Sequence, residues 1–254
     1  MKKTLHPHYI NLKPVLDNLL LVFKTSGTLI GSEKRNVIKF YQIDNNNSIN
    51  VKSFKKPNFI NAIIYGYIRK SKAQRSFEYA NILLSKNIGT PQPFAYYENK
   101  TLFGLKESYY FSNHENVDLM FRHLVFDKNY TDRENIIKQT ALFFLKVHNN
   151  GIEFIDNTAG NTLIKKEKNT YKFFLVDLNR MKFHNTLSIK QRAKNLAKLT
   201  VDKDINKILS YTYAENFNVD KDYFYNLVTY YAEKFLNKYN NRKKLKKIIK
   251  FWKK

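Results

Sequence analysis

The sequence predicts an α+β fold in which strands dominate the first 112 residues and helices dominate the rest. In the first part, short runs of β-branched and aromatic residues alternate with turns rich in glycine and asparagine. In the second part, apolar residues recur at helical spacing. The 254-residue chain contains 43% hydrophobic and 26% charged residues, which is an ordinary globular composition with ample length for a core.

The chain is strongly basic, with 45 Lys and Arg against 21 Asp and Glu and a formal net charge of +24. Such a field attracts phosphates, nucleic acid or an anionic membrane, although many of the lysines are simply solvated surface. We find no signature of an RNA-binding module and expect no specific nucleic-acid partner. The absence of cysteine excludes disulfides, thiolate metal sites and a cysteine nucleophile.

The N-terminal part begins with a polar segment, residues 1–18, followed by three predicted strands: Leu19–Lys24, Asn36–Gln42 and Ser48–Phe54. The loop between the first two strands contains Gly27 and Gly31. Glycines there let backbone N–H groups approach a phosphate closely, but they equally suit any hairpin. Lys52 interrupts the third strand, and its ammonium must either reach solvent or meet an anion, because burying it unpaired is costly.

A helix is predicted over Arg69–Lys86, with Glu78 beside its apolar face. Arg75 and Lys86 are ordinary surface partners for this carboxylate. The preceding segment, 55–68, places lysines around Tyr65 and Tyr67, as in a loop that faces a membrane or a substrate. A hairpin over residues 94–111 completes a predicted five-stranded sheet.

In the C-terminal part, a capping box at Thr131–Glu134 opens a helix that ends at Gly151. A short polar loop then holds Asp156 and Asn161, and a hairpin leads to Asp177. Carboxylate and amide oxygens are the ligands that Mg²⁺ prefers, and a carboxylate in a loop can take the proton of a hydroxyl. In a chain this rich in asparagine, Asp-x4-Asn alone also fits ordinary loop chemistry.

The last segment, 242–254, repeats apolar residues at i, i+3, i+4 and i+7 (Leu245, Ile248, Ile249 and Trp252), and all eight of its charges are basic. This pattern is typical of an amphipathic helix lying on an anionic bilayer, and equally of a terminal helix packed on its own domain. The apolar run Leu19–Phe23 is too short for a signal peptide or a membrane span, so we expect a cytoplasmic protein.

Five polar residues follow one another along the chain in an order that indicates a family: Lys52, Glu78, Asp156, Asn161 and Asp177. With them the chain resembles the lipopolysaccharide core kinases, the Kdo/heptose kinase family of the protein-kinase-like superfamily. The resemblance covers roughly residues 20–200. The phrases that carry it are Asn50–Phe54, Arg69–Glu78, Gly89–Pro93, Gly151–Leu163 and Val176–Arg180.

The resemblance implies a protein-kinase-like bilobal fold. A small N-terminal antiparallel β-sheet lobe with one helix would span residues 1–112, and a mainly α-helical lobe would span 113–254. The implied activity is phosphorylation of a sugar hydroxyl, Kdo or heptose, of the lipopolysaccharide inner core, with ATP and Mg²⁺. The basic tail and the overall charge would favour peripheral contact with the cytoplasmic face of the inner membrane.

The resemblance also assigns roles residue by residue. Lys52 would hold the nucleotide phosphates, Glu78 would hold Lys52, and Gly27 and Gly31 would form the nucleotide loop. Asp156 would be the catalytic base, and Asn161 and Asp177 would be the metal ligands.

Three positions depart from the pattern of the superfamily. Phe154 stands where the catalytic loop has histidine, Leu178-Asn179 stands where protein kinases have Phe-Gly, and the glycine loop is sparse. Asn179 tolerates positive φ, so we expect the turn after Asp177 to form there. None of the departures removes a group that touches phosphate or metal, so an active enzyme is expected. A nucleotide-binding pseudokinase or scaffold, and a kinase for a protein or small molecule, stay open as alternatives.

Overall fold

The structure is a computed structural model that describes residues 1–32, 36–45, 47–168 and 170–251, with side chains as far as residue 245 at the C-terminal end. The chain forms two compact units. The N-terminal unit consists of Met1–Asn116 and Val176–Asn179, and the C-terminal unit consists of Val117–Leu175 and the residues from Arg180 onward. The domain boundary after residue 112 stays a prediction, and no sequence pattern indicated that residues 176–179 would join the N-terminal unit.

The N-terminal unit is built on an antiparallel sheet of six strands in the order β1-β5-β6-β4-β3-β2. The strands are β1 (Lys2–Leu5), β2 (Thr28–Leu29), β3 (Val37–Gln42), β4 (Ser48–Ser53), β5 (Pro93–Thr101) and β6 (Gly104–Asn113). Alternate residues such as Ile49 and Val51 on β4 face a core that also contains Tyr97 and Phe111. Strands β3 to β6 could be predicted because they are rich in β-branched and aromatic residues.

The first 24 residues differ from the prediction. The segment expected to be a polar lead-in contains β1, which pairs with β5, and a 3-10 helix, Pro7–Leu12. The predicted strand Leu19–Lys24 is wrong, because α1 (Lys13–Leu21) occupies its first half and a turn occupies the rest. Leu16 and Leu19 are spaced for one helical face and are buried against the sheet, and a proline stands in the first turn, where helices tolerate it.

Three helical segments connect β4 to β5. They are α2 (Phe59–Ile63), a π-helical turn (Ile64–Ile68) and α3 (Lys72–Ser85). The Ser71 side chain caps α3 by accepting a hydrogen bond of 3.0 Å from the backbone N–H of Gln74. Phe77 of α3 packs against Tyr96 of β5, with ring centroids 5.4 Å apart. This contact fastens the helix to the sheet.

The C-terminal unit is mainly helical. Its elements are β7 (Leu119–Met120), α4 (Phe121–Phe126), α5 (Arg133–Asn149), β8 (Ile152–Phe154), β9 (Thr162–Glu167), β10 (Thr170–Leu175), β11 (Met181–Phe183), α6 (Ile189–Leu196), α7 (Lys203–Phe217) and α8 (Lys221–Phe251). The predicted capping box at Thr131 is wrong, because Asp132 is the N-cap residue, with φ of +61° and no side-chain cap. Ser188 caps α6, because its side chain accepts a hydrogen bond from the backbone N–H of Gln191.

Among the described side chains of the last helix, α8, those of Phe224, Val228 and Ala232 enter the core. From residue 233 to 245 every side chain is exposed, and Leu245 is 59% exposed. Leu245 therefore does not pack on the domain, as one interpretation of the tail required. The side chains of Ile248, Ile249 and Trp252 lie outside the described part of the chain. No helix among the described residues is long and apolar enough to cross a bilayer.

Candidate active site

Lys52 lies at the middle of the N-terminal sheet, opposite Ile38 on β3 and Tyr110 on β6. Its side chain is only 12% exposed, and its Nζ lies 2.8 Å from Oδ1 of Asp177. A buried ammonium needs a counter-charge, and Asp177 provides it. The structure thus brings together two of the predicted site residues, which are 125 positions apart in the chain.

Asp177 lies in the turn Val176–Asn179, which two further hydrogen bonds hold in place. Asn179 Nδ2 donates to Asp177 Oδ1 over 2.6 Å, and Arg75 of α3 donates to the Asn179 carbonyl over 2.8 Å. The turn expected after Asp177 forms, and the positive φ, +60°, belongs to Asp177 and not to Asn179. A non-glycine residue held in this region by its surroundings is typical of functional sites. Arg75, which is 5% exposed, was missed as a site residue because its partner is a backbone carbonyl.

Within the part of the chain that the structure describes, Glu78 pairs neither with Lys52 nor with its alternative partners Arg75 and Lys86. Glu78 instead pairs with Lys70 at 2.8 Å and accepts a hydrogen bond of 3.0 Å from Gln74. Gln74 lies one helical turn before Glu78 and Lys70 lies just before the helix, so both reach the carboxylate locally. Lys52 meanwhile has its counter-charge in Asp177.

The two glycines of the predicted nucleotide loop differ in their surroundings. Gly27 and Gly31 have φ of +88° and +78°, which favours glycine at both positions. A Cβ on Gly27 would lie 2.5 Å from the ring of Tyr41, whose hydroxyl donates to the Ser26 carbonyl, so Gly27 serves packing. Among the described residues, a Cβ on Gly31 would meet nothing within 4 Å, so these residues leave its backbone open.

In the C-terminal unit, Asp156 and Asn161 lie in the loop between β8 and β9. Asn161 Nδ2 donates to the Asp156 carbonyl over 2.8 Å, and the backbone N–H of Thr158 donates to the same oxygen over 2.7 Å. The Asp156 carboxylate pairs with Arg180 at 2.9 Å. The loop is therefore closed on itself and presents an oriented carboxylate. Arg180 was not predicted as a site residue, although it directly follows the Asp177 turn.

A buried network braces this loop where other kinase-like chains have histidine. Asn195 of α6 donates to the Phe154 carbonyl over 2.7 Å, so its Oδ1 accepts, 3.1 Å from His148 Nε2. His148 Nδ1 in turn lies 2.9 Å from the Tyr213 hydroxyl. Asn157 donates to the Asn195 carbonyl over 3.0 Å and joins the loop to the same network.

His148 thus holds the loop through Asn195, and the side chain of Phe154 is fully buried. Burial lowers the pKa of His148 to about 4, so the ring is neutral, with its proton on Nε2. The replacement of the usual histidine by Phe154 is compensated by a histidine that lies six positions earlier in the chain.

Lys198 is a second cation at this loop. Its Nζ donates to the Ile155 carbonyl over 2.8 Å, one residue before Asp156. Burial lowers the pKa of Lys198. The sequence held no signal for it, because it lies just beyond α6, 43 residues from its partner.

The chain is similar to known proteins in sequence pattern and in fold. Residues 65–238, more than half of the chain, match the family model "Lipopolysaccharide kinase (Kdo/WaaP) family". A solved structure of WaaP in complex with acyl carrier protein is similar, with a TM-score of 0.61, 15% identity, and coverage of 92% of this chain and 98% of that one. A Rio2 kinase–ADP/Mg²⁺–phosphoaspartate complex from Chaetomium thermophilum matches with a TM-score of 0.48, 13% identity and coverage of 87% and 67%. No curated protein matches significantly in sequence.

The fold is that of the protein-kinase-like class, and the predicted α+β architecture with an antiparallel N-terminal sheet is confirmed. The chain belongs to the lipopolysaccharide kinase (Kdo/WaaP) family. It is therefore a kinase, a phosphotransferase of lipopolysaccharide, and the family implies the use of ATP.

Proposed function

We propose that the chain transfers the γ-phosphate of Mg-ATP to a hydroxyl of Kdo or heptose in the lipopolysaccharide inner core. The observation that carries this proposal is the Lys52–Asp177 ion pair on a turn held at positive φ, in a chain that belongs to the lipopolysaccharide kinase family. A strand lysine and a carboxylate in such a turn are the groups with which kinases hold nucleotide phosphates and metal.

The donor atoms fit Mg²⁺. Asp177 accepts the hydrogen bonds from Lys52 and Asn179 on Oδ1. Asn161 donates its Nδ2 to the Asp156 carbonyl, so its amide oxygen points away from that carbonyl. Carboxylate and amide oxygens are hard ligands, and Mg²⁺ usually takes few protein ligands because it keeps waters and phosphate oxygens.

Bound Mg-ATP supplies the phosphoryl group and the cation that neutralises its charge. In the proposal, Lys52 holds the nucleotide phosphates, and the open backbone at Gly31 approaches them. Asp156 accepts the proton of the acceptor hydroxyl, while Arg180 fixes the direction of its carboxylate. Glu78 has no part in this assignment, since its partners are Lys70 and Gln74.

The proposal also places the enzyme at the cytoplasmic face of the inner membrane, with segment 242–254 in contact with anionic lipid. Its support is that every side chain from residue 233 to 245 is exposed, and that all charges of segment 242–254 are basic. Each basic residue near an anionic surface contributes about 1 kcal/mol to binding. Such contact suits an acceptor that is anchored by lipid.

The test is transfer of labelled γ-phosphate from Mg-ATP to lipopolysaccharide from a strain that lacks this protein. The variant Asp156→Asn should reduce transfer by about a hundredfold to ten-thousandfold, because it removes the base. Asp204→Asn, an exposed carboxylate on α7, serves as the matched control and should stay active. Mild acid releases Kdo from the core, so the labelled fragment shows which sugar accepts the phosphate.

Label in the saccharide with wild type and Asp204→Asn, but not with Asp156→Asn, would support the proposal. Equal labelling by wild type and both variants would show that Asp156 is not the base. ATP-dependent thermal stabilisation without any transfer would favour a nucleotide-binding scaffold.

A further inference from the structure

The N-terminal unit carries an exposed apolar surface that the proposed chemistry does not use. We call it the apolar patch, and its members are Phe59, Ile60, Ile63, Tyr67, Ile68, Leu102 and Phe103. Leu102 is 90% exposed, Ile68 78% and Phe103 71%. Scattered apolar residues are normal on a protein surface, but a contiguous cluster marks an interaction site.

The patch is contiguous because two glycines let its two halves touch. A Cβ on Gly104 would lie 2.1 Å from the Ala62 carbonyl oxygen, and one on Gly66 would lie 2.6 Å from the Gly104 Cα. The turn between β5 and β6 therefore packs directly on α2 and the π-helical turn. The Tyr67 hydroxyl stabilises this contact by donating a hydrogen bond of 2.8 Å to the Leu102 carbonyl.

The residues around the patch are basic. Between positions 55 and 72 the chain has five basic residues and no acidic one. Lys56 pairs with Glu107 at 3.2 Å and Lys70 pairs with Glu78. Lys55, Arg69 and Lys72 form no ion pair within the part of the chain that the structure describes, so the rim keeps a positive charge.

A cavity of about 320 Å³ opens beside the patch. Its polar lining includes Lys55, Lys56, Lys72, Asn58 and Asn61. Asn58 caps α2 and Asn61 lies within it, so the cavity shares a helix with the apolar residues Phe59 and Ile63. Ammonium and amide donors around a space of this size suit a phosphate headgroup.

We propose that the apolar patch docks the N-terminal unit on an anionic phospholipid bilayer. Leu102 and Phe103 enter the region of the acyl chains, and the lysine-lined cavity holds a phospholipid headgroup. The shape favours a bilayer over a protein, because the most exposed residues project from the tip of a turn. The basic rim complements anionic lipid. The advantage of docking rests on the proposed function, since it assumes a lipid-anchored acceptor.

The test measures binding of the full chain to vesicles of phosphatidylglycerol and phosphatidylethanolamine. We expect Leu102→Ser with Phe103→Ser to lower the partition coefficient by about tenfold to a hundredfold, because two apolar side chains no longer enter the bilayer. Leu21→Ser with Phe126→Ser is the matched control, since both side chains are 83% exposed and lie outside the patch. Measurement also at about 0.5 M salt screens the contribution of segment 242–254.

A second pair of variants tests the cavity. Lys55→Gln with Lys72→Gln should weaken binding to phosphatidylglycerol vesicles several-fold and leave the weaker binding to phosphatidylcholine vesicles unchanged. Lys128→Gln with Lys203→Gln, which removes two exposed lysines of the C-terminal unit, controls for the loss of net charge.

Equal vesicle binding by wild type and the Leu102/Phe103 variant would overturn the proposal. So would a photo-crosslinking residue at position 103 that yields protein adducts in cells and no phospholipid adduct. Both measurements are independent of phosphate transfer, so failure of the proposed kinase function leaves them valid. If both proposals hold, the Leu102/Phe103 variant phosphorylates a delipidated core saccharide at the wild-type rate but a membrane-embedded acceptor more slowly.

Discussion

The ammonium of Lys52 lies 2.8 Å from the carboxylate of Asp177, and this ion pair takes the place of the expected pair between Lys52 and Glu78. Asp177 reaches Lys52 because the turn that carries it is held by Asn179 and Arg75. In the N-terminal unit, α3 is thus connected to the Lys52–Asp177 pair through Arg75 and not through Glu78. The connection runs from a buried guanidinium to a backbone carbonyl.

Replacement of Lys52 by methionine tests the importance of the ammonium. We expect kcat/KM for ATP to fall by about a hundredfold to a thousandfold, because a preorganised positive charge on the phosphates is lost. Thermal stability should change little, since Asp177 keeps its hydrogen bond from Asn179 and is partly exposed. Lys106→Met, an exposed lysine of β6, is the control. Unchanged ATP kinetics in Lys52→Met would exclude Lys52 from the nucleotide site.

Replacement of Glu78 by glutamine should have a small effect. Glu78 pairs with the exposed Lys70, and an exposed ion pair contributes at most about 1 kcal/mol. We expect kcat/KM for ATP to stay within about threefold of wild type, in contrast to Lys52→Met. Steady-state kinetics on both variants decides the question. A loss in Glu78→Gln as large as that in Lys52→Met would show that Glu78 engages Lys52 during turnover, as the family pattern implied.

Much of this fold could be predicted from local patterns, and the failures have physical causes. Strand β4 alternates apolar and polar residues, and β3, β5 and β6 are rich in β-branched and aromatic residues. Ser71 caps α3, which buries one face. Strand β1 went unpredicted because the short sequence Lys2–Leu5 becomes a strand only by pairing with β5, more than 90 residues away. Leu16 and Leu19 show helical spacing, but the apolar run that follows them imitates a strand.

The candidate site likewise contains residues that could be predicted from the sequence and residues that could not. Lys52, Asp156, Asn161 and Asp177 are visible because their spacing is local or ordered along the chain. The groups that orient them are not visible, since Arg75 acts on a carbonyl 104 positions away and Asn195 acts on one 41 positions away. Every residue has a backbone carbonyl, so no sequence motif indicates which residue accepts these hydrogen bonds.

The bracing network under Asp156 predicts a difference between two variants of His148. His148→Leu removes the donor to Asn195 and leaves buried polar groups unpaired, which should lower the free energy of unfolding by about 2 to 3 kcal/mol. A misplaced Asp156 loop should lower kcat by about tenfold or more, with little change in KM for ATP. His148→Gln keeps an N–H donor toward Asn195 and should recover most of both losses.

Urea unfolding and steady-state kinetics on both variants measure these effects. A general loss of stability would lower activity in proportion to the folded fraction and would leave kcat per folded molecule unchanged. If kcat per folded molecule is the same in both variants and in wild type, His148 does not position the loop.

Stability should also depend on pH through His148. Burial lowers its pKa to about 4 in the folded chain, from an ordinary value near 6.5, so the unfolded chain binds the proton more readily between these values. The free energy of unfolding is therefore largest above pH 6.5 and falls as the pH falls toward 4. The contribution of His148 is about 3 kcal/mol over the whole window.

Unfolding midpoints between pH 7.5 and 4.5, compared for wild type and His148→Gln, isolate this contribution. Burial also lowers the pKa values of His6 and His114, which act in the same direction in both proteins and cancel in the comparison. The carboxyl of Asp17 ionises at lower pH. Burial raises its pKa, but hydrogen bonds from Lys3, Lys13 and Tyr97 outweigh burial and lower the pKa to about 2. Its contribution is lost only as the pH falls below about 3.8, outside the measured range. Wild type should therefore lose stability more steeply than His148→Gln, and parallel curves would mean that His148 is not held neutral in the folded chain.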